Sequence, residues 1–139
     1  LVGFDGAIRA TSAKYSGMTD IDTEYLDQCI VNSSCNSLAG SRSMRLYIRV
    51  ELEDHTIYLP SLLNMVCFQE NYETTEKNEM DNVLDITRLV NCLNSFNGIE
   101  TIHIFWDEIL PLKYENVNVE SAEGLAKLFN TRVSTIDGK

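Results

Sequence analysis

The stretch SMRLYIRVELEDHTIYLPSLLNMVCFQ, residues 43–69, decides how the rest of the chain is read. Met44, Leu46, Ile48, Val50 and Leu52 alternate with Arg45, Tyr47, Arg49 and Glu51, the period of two that a strand with one buried face requires. Glu53-Asp54-His55 turns the chain, and Thr56-Ile57-Tyr58-Leu59 returns as the neighbouring strand. Pro60 changes the rule, because proline suits the first turn of a helix but also ends a strand at an edge or bulge. The segment from Asn64 to Gln69 is read as a further strand. Val66, Cys67 and Phe68 favour extended backbone, and a nearly continuous apolar run fits a central strand covered on both faces.

Upstream, Asp5-Gly6 between the short runs LVGF and AIRA predicts a tight hairpin. Thr19 or Asp20 opens a helix to about Val31, with Ile21, Tyr25, Leu26, Cys29 and Ile30 recurring at three and four residues on its buried face. Residues 32–43, rich in Ser, Asn and Gly, predict a loop. Downstream, the acidic stretch 70–80 leads to a helix capped by Asp81 or Asn82. Its apolar stripe is Val83, Ile86, Leu89, Val90, Leu93 and Phe96, and Asn97-Gly98 stops it. IETIHIFW, residues 99–106, is another strand, and Ser121 caps a last helix through Phe129, with Glu123 and Lys127 as an i,i+4 pair. The expected fold is α+β: a five-stranded antiparallel sheet with helices packed on its faces, residues 1–97 forming the body and 98–139 a C-terminal strand and helix extension of the same domain.

At 139 residues, 44% hydrophobic and 23% charged, the chain has the size and composition of one domain that folds without disulfide or metal. Its net charge of −10 argues against nucleic-acid phosphate or an anionic membrane as a direct partner. No apolar run approaches the length of a membrane span, and LVGFDGAIRA lacks the charged start and apolar core of a signal peptide. Cys29, Cys35, Cys67 and Cys92 are read as reduced thiols of a cytoplasmic protein. In an alternative reading they form two disulfides in a secreted or viral recognition domain, with Asn32-Ser33-Ser34 as a glycosylation sequon.

No motif for a catalytic site, cofactor or metal emerges. His55 and His103 lack a Ser or Cys nucleophile at any family spacing, and a hydrolase would need His103 to converge with Asp107 or Glu108. DIDTE, residues 20–24, begins like a calcium loop, but Val31 stands where the distal Glu belongs, so an acidic first helical turn is the simpler reading. Arg45, Tyr47 and Arg49 form a basic and aromatic stripe that could meet nucleic acid. The acidity of the rest favours a solvated or helix-covered face, or a protein contact.

The hairpin VGFDGAIRATS followed by MRLYIRVELEDHTIYLPSLLNMVCFQ resembles the roadblock/LC7 and longin superfamily of profilin-like domains. SMRLYIRVE, TIYL and LLNMVCFQENYE are also similar to the C-terminal domain of Rag-type GTPases. The resemblance covers residues 1–97. It implies a non-enzymatic dimerisation module, a scaffold or regulatory subunit of a small-GTPase-associated complex, cytoplasmic or peripheral at an endomembrane. Its protein partner would meet the helix through Ile21, Tyr25 and Leu26 or the sheet edge through Arg45, Tyr47 and Arg49.

Overall fold

In a computed structural model, residues 3–8, 16–35, 44–54, 56–70 and 82–137 are described. In chain order the elements are helix α1 (Asp20–Cys35), strand β1 (Leu46–Leu52), a 3-10 helix (Leu62–Met65), β2 (Cys67–Glu70), β3 (Asn82–Asp85), α2 (Thr87–Ser95), β4 (Ile99–Trp106), β5 (Leu112–Tyr114), β6 (Val117–Asn118), α3 (Ala122–Lys127) and β7 (Arg132–Thr135).

The fold is α+β, but the expected single antiparallel sheet of five strands is not formed. The strands divide into two mixed sheets, one in the order β1-β4-β7 and the other β2-β3-β5-β6. β1 is antiparallel to β4, from Leu46 opposite Trp106 to Leu52 opposite Ile99, and β4 is parallel to β7. Parallel neighbours need a long crossover, which residues 107–131 and α3 supply here.

The alternation in β1 puts Leu46, Ile48, Val50 and Leu52 on the core side, where β4 contributes Ile99, Ile102 and Ile104. Leu89, Val90 and Leu93 of α2 and Leu125 of α3 pack into the same cluster, so one core serves both sheets. Each such buried aliphatic side chain contributes roughly 1.5–3 kcal/mol by leaving water.

Three local misreadings account for the altered sheet. The segment after β1 does make a turn, with Asp54 accepting the amides of Thr56 and Ile57, but residues 57–59 form no strand and Tyr58 is exposed. Its place beside β1 goes to β4, whose Ile102 and Ile104 match the pleat of Val50 and Ile48 over a longer register. LLNM is a 3-10 helix, and the strand that follows lies at the end of the four-stranded sheet with Phe68 exposed, instead of at its centre. Finally, VLDI belongs to the strand period: Leu84 and Ile86 are buried two residues apart, and Leu84 pairs with Leu112. The helix therefore starts at Thr87, where Asp85 accepts the Thr87 amide at 2.9 Å in place of the expected cap at Asp81 or Asn82.

Other expectations hold in part. α1 begins where Thr19 donates both its amide and its hydroxyl to Asp22, and it runs to Cys35, past the expected end. Ser121 caps α3 by accepting the Gly124 amide, and β7 follows where no strand was expected. Around Asp5-Gly6, residues 3–8 form no strand, and the outer ends of the expected hairpin lie outside the described residues, as do residues 36–43, the 71–81 stretch and His55.

Candidate functional site

The three-stranded sheet has a second face, away from the core. The same alternation that buries Ile48 and Val50 sends Tyr47, Arg49 and Glu51 to it. In register they stand opposite Phe105, His103 and Thr101 of β4, and β7 sets Ser134 beside His103 and Arg132 beside Thr101. Aromatic, cationic and hydroxyl side chains thus share one pleated surface.

α1 lies across the β1 side of that face, and its contact is polar. Asp27, in the middle of the helix, is only 3% exposed. Its carboxylate accepts from Arg49 through Nε at 2.7 Å to Oδ1 and through a terminal nitrogen at 2.8 Å to Oδ2. The Tyr47 hydroxyl donates to the same carboxylate at 2.7 Å. A guanidinium fork matches a carboxylate in plane, so both acceptor oxygens are used. Burial alone would lower the Arg49 pKa, but the hydrogen bond and charge of Asp27 outweigh it and the guanidinium is raised. Burial first, then the hydrogen bond and charge of Asp27, push the Tyr47 phenol well above its usual value. This ion pair is nearly dry, and losing one partner would strand the other.

Around this centre the charges are separately engaged. His103 Nε2 lies 3.0 Å from a Glu51 carboxylate oxygen. Arg45, at the start of the stripe, donates to Asp107 at 2.7 Å across the end of β4. Asp107 also accepts the Ile109 amide at 3.1 Å, and Glu108 is exposed, so His103, Asp107 and Glu108 do not converge as a hydrolase would need. Beside α1, over the β4 and β7 part of the face, an open cleft of about 480 Å³ is lined by Tyr25 and Gln28 of the helix and by His103 and Ser134 of the sheet.

Of the residues singled out in the sequence, Tyr47 and Arg49 come together under α1, and Arg45 is held apart at the strand end. Ile21 and Tyr25 are 77% and 71% exposed, whereas Leu26 is half-buried. Of the expected stripe, Leu26, Cys29 and Ile30 are half-buried beside the buried Asp27 and Val31, while Ile21 and Tyr25 face outward. Asp27, Phe105, Ser134 and Arg132 were not anticipated. An acid four residues before a buried valine is visible in the sequence, but its role depends on Arg49 standing opposite.

The secreted reading also meets the geometry. Against two disulfides, Cys29, Cys67 and Cys92 are free thiols, with Cys67 exposed, while the side chain of Cys35 lies outside the described residues; the side-chain amide oxygen of Asn32 is buried within α1, an unsuitable setting for a sugar. Among the described residues, no helix is long and apolar enough to cross a membrane, and no group of three or more His, Cys, Asp or Glu is placed to hold a metal ion.

No family model matches the chain. In an alignment of 125 residues that covers 86% of the chain, it is 25% identical to the CRISPR-associated protein Cas7 of Haloferax volcanii. The chain spans 37% of that protein. This similarity overturns two expectations: a scaffold for small GTPases, and the exclusion of nucleic acid as a partner. The error behind the second lies in treating net charge as if it were evenly spread. Residues 6–19 hold Arg9 and Lys14, and residues 29–50 hold Arg42, Arg45 and Arg49, with no Asp or Glu in either stretch. A local field is set by that distribution, so an acidic total excludes little.

Proposed function

We propose that the chain is part of a CRISPR-associated protein that works with nucleic acid, as a non-catalytic component acting in the cytoplasm. The observation that carries this reading is the similarity to Cas7 across most of the chain. The acid-free stretches support it as a pattern of sequence, although the cations of theirs that are described, Arg45 and Arg49, are each paired with an aspartate brought in by the fold. So does the mixture of aromatic and cationic side chains on the outer face of the three-stranded sheet, a composition that suits single-stranded nucleic acid.

The test is what the protein carries. It is purified from its native source at low salt, the bound nucleic acid is extracted with phenol, and the extract is sequenced. RNA bearing CRISPR-repeat sequence is the expected result. A preparation that absorbs as protein alone, with no nucleic acid recovered, would defeat the proposal.

A further inference from the structure

We propose that Asn97-Gly98, between α2 and β4, is a self-modifying site, at which the Asn97 side chain cyclises onto the following peptide and opens to aspartate or isoaspartate, and that the isoaspartyl form loosens the joint between β4 and β1. The inference concerns the chain's own chemistry and stands apart from the nucleic-acid reading above.

The reaction needs a side-chain carboxamide and the peptide nitrogen of the next residue. That nitrogen attacks the carboxamide carbon, a C–N bond forms, and the side-chain nitrogen leaves as ammonia. Water then opens the five-membered imide at either carbonyl. One opening gives aspartate with the ordinary main chain, and the other gives isoaspartate, whose main chain runs through the β-carbon. Water is the only co-reactant.

Sequence and structure both favour this position. Of the asparagines in the chain, Asn97 alone is followed by glycine, which places no side chain beside the attacking nitrogen. The asparagines within α2 are held differently. Their neighbouring peptide nitrogens belong to the helical ladder, Asn91 accepts the Tyr114 hydroxyl, and Asn94 donates to the Leu128 carbonyl and accepts the Asn130 amide. Asn97 lies just beyond the last helical residue, Ser95, and is exposed. Among the described residues, neither its side chain nor the Gly98 N–H makes a hydrogen bond.

The consequence follows from what the pair joins. The Gly98 carbonyl accepts the Glu53 amide at 2.8 Å, and the next residue, Ile99, stands opposite Leu52 at the start of the β1–β4 register. Both anchors of the connection are buried, Leu93 on α2 and Ile99 on β4. Isoaspartate adds one methylene to the main chain between these anchors and pushes Gly98 out of line with Glu53. An ordinary aspartate at this exposed position changes the charge alone.

The test is timed ageing of the full chain at 37 °C and pH 8.5, with samples digested by pepsin in acid and mapped by tandem mass spectrometry that separates isoaspartate from aspartate. Residue 97 should become heavier by about one mass unit before any other asparagine does, with isoaspartate among the products. Asn97→Gln, whose longer side chain closes a ring far more slowly, should show no such product. The melting temperature should fall in the aged unaltered chain, but not in Asn97→Gln aged beside it or in freshly made Asn97→Asp. An unconverted residue 97, or conversion elsewhere ahead of it, would overturn the site. An isoaspartate-rich chain that melts like the fresh one would overturn the effect on the joint.

Discussion

Arg49 and Asp27 meet as a fork on a carboxylate, at 2.7 and 2.8 Å, in a place where the arginine side chain is 14% and the aspartate 4% exposed. The pair joins a helix to a strand 22 residues away, and it is the main polar tie between α1 and the sheet. Its removal from one side has a foreseeable cost. Asp27→Ala leaves the guanidinium buried with no counter-charge and should destabilise the protein by about 3–5 kcal/mol. In urea denaturation followed by circular dichroism, the midpoint should fall with little change in slope. The double substitution Asp27→Leu with Arg49→Met, which removes both charges, should recover most of the loss.

Tyr47 gives a spectroscopic reading of the same tie. Its phenol is raised above the ordinary tyrosine value by burial and by Asp27, so in a titration at 295 nm it should ionise above that value. Tyr47→Phe should remove that step of the curve. The stability it contributes follows the sign of the shift. It is fully present below the unfolded phenol value of about 10 and is lost as pH rises through the raised folded value. Denaturation midpoints taken at increasing alkaline pH should decline more steeply for the unaltered chain than for Tyr47→Phe.

Ile102 is fully buried at the centre of β4, and Leu93 is almost so on α2. Ile102→Ala and Leu93→Ala should each cost about 2–5 kcal/mol, from lost burial and the cavity left behind. The two residues belong to one cluster, so a common loss in thermal and urea midpoints is expected for both. A negligible effect at Ile102 would contradict the placement of β4 against the core.

Gly98 joins α2 to β4 with φ at 104°, a conformation L side chains rarely adopt, and a Cβ there would overlap the Ile57 side chain. Gly98→Ala should therefore destabilise by about 1–3 kcal/mol from backbone strain alone. Ile57→Ala in the same background should relieve the overlap but not the strain, so calorimetry should show only partial recovery of the melting temperature.

The strongest local patterns were legible in the sequence. Alternation in Leu46–Leu52 and in Ile99–Trp106 identified two strands, and Ser121 identified the start of α3. What failed was pairing. Short turns usually join neighbours, which points to TIYL, the nearest apolar segment, as the partner of β1, yet β4 pairs with it from Leu52–Ile99 to Leu46–Trp106. VLDI failed for a different reason: Val83, Ile86 and Leu89 fit a helical stripe, while Leu84 and Ile86 fit a strand, and only the presence of Leu112 alongside selects between them. At the candidate site, Tyr47 and Arg49 were visible as a stripe, but Asp27 was not. Its importance comes from being turned inward toward a cation supplied by a distant strand. The apolar residues Ile21 and Tyr25, which fit an amphipathic stripe, drew attention to the opposite side of α1.

The middle position of β4 has a consequence for how the chain is made. Leu46 must wait for Trp106 to find its partner, and Ile104 then waits for Thr135. A ribosome releases the chain from the N-terminal end, so β1 emerges well before either edge of its sheet can close. Contacts this distant in sequence form slowly, because the loop between them must be ordered first. Strand β1 therefore emerges with α1 already available for its Tyr47 and Arg49 face but with its core side bare, and a nascent chain interrupted before β4 would expose Leu46, Ile48 and Val50 as a sticky ribbon. Biogenesis, more than the finished fold, is where this topology is most vulnerable.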